Sequence, residues 1–449
     1  MTTVSREASI PPLGVSPAAL SLSKPLAAWL AARKIHYGWA AVGATFLIML
    51  ATAGAMGSAG VMITPLEKEF GWSAADISSA FALRLALFGL MGPFAAALIN
   101  RFGVRRVVVA AIAMIAGGIL ASTFMTEVWQ LVALWGVVVG FGTGMVALVL
   151  GATLATRWFV ARRGLAVGML TASNATGQLV FLPLLAKLTE DYGWRLAIVF
   201  VVGMLLLAGA VALLFLRDRP FDVGLAPYGE SALQPPPKQN LALRAMLASP
   251  IGALYEARGS RTFWVLFATF FVCGVSTNGL IQTHWIALCG DYGVAPVSAA
   301  GALAAIGVFD FIGTLASGWL SDRYDNRWLL FMYYGLRGLS LIVLPFTDFS
   351  VIGLSAFAVF YGLDWVATVP PTVRLTAARF GAEKANVAFG WIFAAHQLGA
   401  ATAAFGAGAA RTELSTYLPA LYVAGVACVI AATLVLTLAS PRARALARA

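Results

Sequence analysis

Residues 168–177 read GMLTASNATG and residues 390–399 read GWIFAAHQLG. Both segments begin and end on glycine, and an offset of 222 positions lays one over the other, with Asn174 on His396. The same offset carries Arg157 to Arg379, Arg162 to Lys384, Asn100-Arg101 to Asp322-Arg323 and Gly71 to Gly293, with no gap. A repeat of such long period means that the two halves of the chain fold alike. In an apolar chain, paired helical halves place a ligand site between them, near the midplane of a membrane.

The composition agrees. Of 449 residues, 60% are hydrophobic and only 11% are charged, against about 25% charged in soluble proteins. A membrane-spanning helix needs about 20 apolar residues. Twelve stretches qualify, at 38–63, 74–99, 104–124, 128–156, 163–186, 194–216, 262–288, 296–320, 328–347, 350–372, 385–410 and 414–440; they are called spans 1 to 12. They are too long and too continuous for barrel strands, which alternate over about ten residues. The expected fold is an all-α membrane protein of two pseudo-symmetric six-helix halves, 37–217 and 262–440. A tail (1–36), a polar linker (218–261) containing Pro235-Pro236-Pro237, and a second tail (441–449) complete it. Residues 1–36 do not read as a secretory signal. A short surface helix is expected near 240–256. Pro93, Pro183, Pro345, Pro370 and Pro371 are expected to kink or end their helices. Cys273, Cys289 and Cys428 have no metal-ligand spacing and read as packing residues.

Counting Lys and Arg by loop puts 24 of 30 on the side of the termini and four on the other, with two inside spans. The positive-inside rule then makes both termini cytoplasmic and the protein a multi-pass component of the inner (plasma) membrane. Basic loops facing anionic lipid account for the net charge of +11, so no nucleic-acid partner is implied.

Two loops resemble a signature of the major facilitator superfamily, Gly-x-x-x-Asp-Arg-x-Gly-Arg-Arg. After span 2 the chain has Ala96 to Arg106, with Asn100, Arg101, Gly103, Arg105 and Arg106 in the pattern. After span 8 it has Gly318 to Arg327, with Asp322 and Arg323. In such loops the acid latches the cytoplasmic side through helix N-terminal amides and basic neighbours. Ala96 and Asn100 depart from the pattern, which weakens the first latch. The start of span 5, from Trp158-Phe159 through Arg162-Arg163 to Gly168, Ala172 and Gly177, is similar to that of monocarboxylate transporters. Tyr37-Gly38-Trp39-Ala40 resembles that family's Gly-Trp signature. The resemblance implies transport of a small organic anion, most simply a monocarboxylate with protons, by a carrier working as a monomer without a cofactor. Asp310 matches that family's span 8 Asp, but Thr314 stands where its Arg would be.

Four charges fall inside spans: Arg84, Asp310, Arg337 and Asp364. Intramembrane charges are costly and mark function. Arg337 is expected to pair with Asp310 or Asp364, leaving the other to carry a proton. Because the resemblance puts span 10 on the cavity, Asp364 is the favoured carrier. Arg84 has no acidic residue in its own half and is expected to meet a substrate carboxylate. Thr171, Asn174 and Gln178 share a face of span 5, Asn278 and Gln282 stand one turn apart in span 7 with His284 nearby, and His396 answers Asn174 across the repeat. Asn174, Gln178, Asn278, Gln282, His284, His396 and Arg84 are therefore the candidate substrate contacts. An exporter of an apolar drug or a carrier of a neutral solute is the competing reading. No nucleotide loop, metal-spaced cluster or nucleophile elbow points to an enzyme.

Overall fold

The computed structural model describes residues 22–146, 148–233, 243–347 and 349–439. Within helices the side chains of Asn174, Gln178, Thr171 and Lys384 lie outside the described residues.

Among the described residues, eleven helical runs are long and apolar enough to cross a membrane. They are Tyr37–Phe70, Ala74–Ala95, Val104–Phe124, Val128–Trp158, Trp194–Phe215, Arg261–Asp291, Pro296–Ser321, Asn326–Phe346, Val351–Gly381, Val387–Leu414 and Leu418–Leu436. The helix Arg163–Tyr192 occupies the position of the fifth expected span, which makes twelve. The helix Leu243–Ala257 lies in the linker, close to where one was expected. A further helix, Ser23–Ala32, precedes span 1. Large apolar side chains such as Leu206, Leu207, Ile352 and Ile430 are exposed on the bundle's outside, as lipid-facing residues must be.

The ends of the spans are written locally. Ser73 and Asp76 form a capping box at the start of span 2, the Asp76 amide donating to Ser73 Oγ at 3.1 Å. Gly71 (φ +70°) ends span 1 and Gly293 (φ +79°) follows span 7. These two glycines are partners under the 222-residue offset, and both take the left-handed conformation that glycine adopts without strain.

The repeat shows in the packing too. Gly177 of span 5 lies against span 1 at Leu50 and Ala53, and Gly399 of span 11 lies against span 7 at Phe271. A Cβ on Gly399 would overlap the Phe271 carbonyl oxygen, and one on Gly274 would overlap that of His396. Spans 7 and 11 thus cross backbone against backbone, the packing that small residues permit in lipid. Gly313 of span 8 and Gly362 of span 10 do the same, against Leu363 and Ile306.

Two spans carry stretches of π-helix, Val132–Val139 in span 4 and Val275–Gln282 in span 7. Such wide turns recur at functional sites. Thr283 Oγ1 donates to the Asn278 carbonyl at 2.7 Å, tying down a carbonyl five residues back.

Gly399→Val is expected to cost about 2–3 kcal/mol or more through overpacking. A fall in detergent melting temperature and in monodisperse yield, with Gly390→Ala close to wild type as the control, would check it; Gly390 has only Pro93 near its Cβ position, at 3.9 Å.

Candidate functional site

Span 10 is broken. Helix runs over Val351–Asp364 and resumes at Val369. Pro370 and Pro371 have no N–H to give to the carbonyls of Val366 and Ala367 four residues earlier. Backbone left open at membrane depth must be satisfied by protein, and it is. The Val369 amide donates to the Val366 carbonyl at 2.9 Å. Ser317 Oγ of span 8 donates to the Ala367 carbonyl at 2.6 Å. Arg337 of span 9 donates through Nη2 to the carbonyls of Asp364 and of Trp365, the latter at 3.0 Å. The Val366 amide donates to the Asp310 carboxylate at 2.9 Å.

Arg337 is fully buried and spends its remaining donors locally. Its Nε meets Asp364 Oδ2 at 2.9 Å and its Nη1 meets Cys273 Sγ at 2.9 Å. Arg337 and Asp364 therefore form an ion pair behind the break. Asp310 has no ion-pair partner among the described residues and holds Thr314 Oγ1 at 3.0 Å in addition to the Val366 amide. This reverses the expectation that Asp364 is the spare acid. Trp365 and Val366 face the cavity while the Asp364 carboxylate turns back to Arg337.

A cavity of 380 Å³ lies between the halves. Met49, Thr52 and Met56 of span 1 and Phe88 of span 2 face it from one half. Cys273, Asn278 and Gln282 of span 7, Asp310 and Thr314 of span 8, and His396 and Gln397 of span 11 face it from the other. The lining extends toward the ends that carry the termini, through Met49, Gly168, Leu315 and Phe389. The opposite side is closed. Arg411, at the end of span 11, pairs with Asp291 at 2.9 Å and with Glu67 of the other half, and the Ala75 amide donates to Thr412 Oγ1 at 3.1 Å. Gly60 of span 1 lies against the carbonyls of Gln282 and Thr283.

His396 stands on the cavity wall, stacked parallel on Phe393 at 5.9 Å. Its Nδ1 lies 3.2 Å from the Gln397 amide nitrogen. Nε2 faces Thr277 Oγ1 at 3.4 Å, and that hydroxyl donates to the Cys273 carbonyl at 2.7 Å.

Arg84 lies one step off the main cavity. It is 3% exposed, and it lines a chamber of 10 Å³ that shares Met56, Asn278 and Gln282 with the cavity. Nη1 donates to the Met56 carbonyl at 3.1 Å, while Nε, among the described residues, has no partner. The rings of Phe81 and Trp135 stand 5.6 and 5.9 Å from the guanidinium. Both π-helical segments meet here, one bringing Trp135 and the other Asn278 and Gln282.

His284 departs from expectation. Its ring is fully buried, with Nε2 on the Ala404 carbonyl at 2.8 Å and Nδ1 on Tyr417 Oη at 3.1 Å. It points away from the cavity and is a packed core histidine, because span 7 turns it toward spans 11 and 12. Asn278, Gln282, Asp310 and His396 come together on the cavity. The helix places Asn174 and Gln178 in span 5, but their side chains lie outside the described residues.

The signature loops at the termini side differ between halves. Asn100 accepts from Arg157 Nη2 at 2.6 Å. The carboxylate missing from this loop is supplied by Asp218, just past span 6, which accepts from the Arg105 amide at 3.0 Å and sits against Gly103. In the second loop Asp322 pairs with Arg374; Arg323 stacks over Trp319 at 4.0 Å, and Gly318 faces open space. Arg101 stands 5.5 Å from the Phe102 ring. Sequence reading missed Asp218, Ser317, Thr277 and the Arg411 network. Only the position of Glu67, Asp291 and Arg411 at span ends could have signalled the last.

Among the described residues no three His, Cys, Asp or Glu side chains converge as a metal site. Two helical halves around a cavity, tied together by ion pairs on one side, define a solute transporter rather than an enzyme. The family model of the Major Facilitator Superfamily matches residues 41–404, and the chain belongs to that superfamily. It is similar to human monocarboxylate transporter 11, 31% identical over 346 residues (73% of this chain, 67% of the relative). It is also similar to monocarboxylate transporter 13 of Bos taurus, 27% identical over 394 residues (87% and 86%). The uncharacterized MFS-type transporter YcxA of Bacillus subtilis (strain 168) is 25% identical over 382 residues (82% and 87%).

Arg337→Lys retains the charge but not the planar fork that reaches Asp364, Cys273 and two carbonyls at once. It is expected to lose about 3–5 kcal/mol, the cost of orphaning a buried partner, seen as a collapse of monodisperse yield in size-exclusion chromatography. Ser317→Ala, which frees one carbonyl, should cost about 1–3 kcal/mol.

Proposed function

We propose that the protein is a secondary active transporter of a monocarboxylate, moved together with a proton by alternating access, as a monomer in the inner (plasma) membrane. The observation that carries the reading is the asymmetry of the cavity's charges. Arg337 is neutralised by Asp364, whereas among the described residues neither Asp310, on the cavity wall, nor Arg84, in a side chamber, has an ion-pair partner. A carrier with one unpaired acid and one unpaired base takes up a proton at the first and an anion at the second. The names of its relatives, monocarboxylate transporters 11 and 13, support the same substrate class.

With the basic loops and both termini in the cytoplasm, the closed side is external and this conformation faces inward. The Arg411–Glu67–Asp291 network is then the external latch, and its opening admits substrate from outside. Asp310 ties its proton to the shape of the cavity, because the same carboxylate holds the broken backbone of span 10 at Val366. His396 lies on the same wall, where it can meet the substrate. An exporter of an apolar drug or a carrier of a neutral solute would leave the charge of Arg84 without a counter-ion, which disfavours both.

The test is uptake of labelled acetate, lactate, a branched hydroxy acid and phenylacetate into proteoliposomes, with protein-free liposomes subtracted. An inward proton gradient is expected to drive accumulation of at least one acid. Asp310→Asn should abolish that accumulation and spare exchange of the same acid at equal pH. Well-folded protein that carries none of these acids would reject the reading. Opening the external latch in Arg411→Gln should lower the population of the inward-facing state, read as slower labelling of a cysteine placed at Gly168 from the cytoplasmic side.

A further inference from the structure

We infer that the preferred substrate is an aryl-bearing monocarboxylate, its carboxylate on a short arm reaching into the mouth of the Arg84 chamber and its ring in the main cavity. The inference deepens the reading above and rests on it.

The chamber supplies the head site. Its volume of 10 Å³ is that of about one water. Arg84, Asn278 and Gln282 line it together, and no described residue accepts from the buried Nε of Arg84. A buried guanidinium beside two amides is built for an anion that accepts several short hydrogen bonds. A carboxylate reaching one oxygen into the chamber does so, and the chamber has no room for anything behind it.

The main cavity supplies the body site. At 380 Å³ it falls within the range of about 300–1,000 Å³ that holds larger ligands. A three-carbon acid, with the bulk of about three waters, would fill only about a tenth of it on the same measure. Its walls near the chamber are rings: Phe88 one turn along from Arg84, and Phe270 and Phe393 on either side of His396, with Trp365 beyond. Phe88 and Phe393 already meet edge to face at 5.9 Å across the two halves. Phe393 is only half-buried, and an aromatic body packs on it and displaces water from its apolar surface; a short hydroxy acid would not reach as far across it. Because the chamber admits only one oxygen of the head, the ring must hang from the head by one or two carbons, as in phenylacetate or indole-3-acetate.

The experiment compares KM for proton-driven uptake of phenylacetate, indole-3-acetate, acetate and lactate in the full-length protein in proteoliposomes. The two aryl acids are expected to have KM values at least tenfold below those of acetate and lactate. Arg84→Gln should raise the phenylacetate KM by tenfold or more, and Gln282→Ala, a milder change in the same chamber, by several-fold. Phe393→Ala should raise the phenylacetate KM by a larger factor than the acetate KM. Equal KM values for short and aryl acids, uptake of the short acids alone, or indifference of phenylacetate uptake to Gln282→Ala would overturn the inference and leave the monocarboxylate reading standing. Absence of uptake of all four acids by folded protein would overturn both.

Discussion

Four side chains hold open a gap in one helix, and the rest of the site is arranged around that gap. Pro370 and Pro371 make it impossible for span 10 to run straight through. In water the freed carbonyls and amide would be solvated, but at membrane depth each must find a protein partner. Arg337, Ser317 and Asp310 provide them from spans 8 and 9. The guanidinium that does this is itself compensated by Asp364. A charge pair that looks redundant in a hydrophobic bundle is therefore the means by which a helix can be interrupted beside a cavity.

The division of labour between the two aspartates follows. Asp364 belongs to the brace, and removing it would strand a fully buried guanidinium. Asp310 touches both the brace and the cavity, through Val366 and Thr314 on one side and the open space on the other. A change in its protonation is thus felt at once by the broken segment of span 10, which packs through Gly362 and Gly313 on span 8. In the proposed cycle, proton and substrate sites need not touch to be coupled, since both would bias one element with two arrangements. In the proposed transport cycle, the closed side, where Arg411 reaches across from one half to the other, is the second place where two arrangements would differ.

Much of the architecture was legible because it rests on period and composition. The 222-residue repeat reappears as paired left-handed glycines at 71 and 293 and as paired close crossings at Gly177 and Gly399. The four intramembrane charges were visible for the same reason: in so apolar a sequence each one stands out. What the sequence did not disclose was direction. Asp310 and Asp364 lie at similar depth, and only the break after Asp364, which turns its carboxylate toward span 9, decides which of them Arg337 takes. His284 carries the same side chain as His396, yet the π-helical turn before it rotates it into the core. The two π-helical segments have no composition signal, so the meeting of Trp135, Arg84, Asn278 and Gln282 could not be anticipated from spacing. Asn100 suggested a weakened loop, whereas Asp218, far away in sequence, restores the carboxylate in space.

The most direct measurement is infrared difference spectroscopy of the reconstituted protein, recording the carboxylic-acid carbonyl band when phenylacetate is added. If Asp310 is the acid left free by the brace, substrate will shift or bleach a protonated-carboxyl band in wild type, and that band will be missing in Asp310→Asn. A substrate-dependent carboxyl band that persists unchanged in Asp310→Asn would assign the proton to another group and contradict the account.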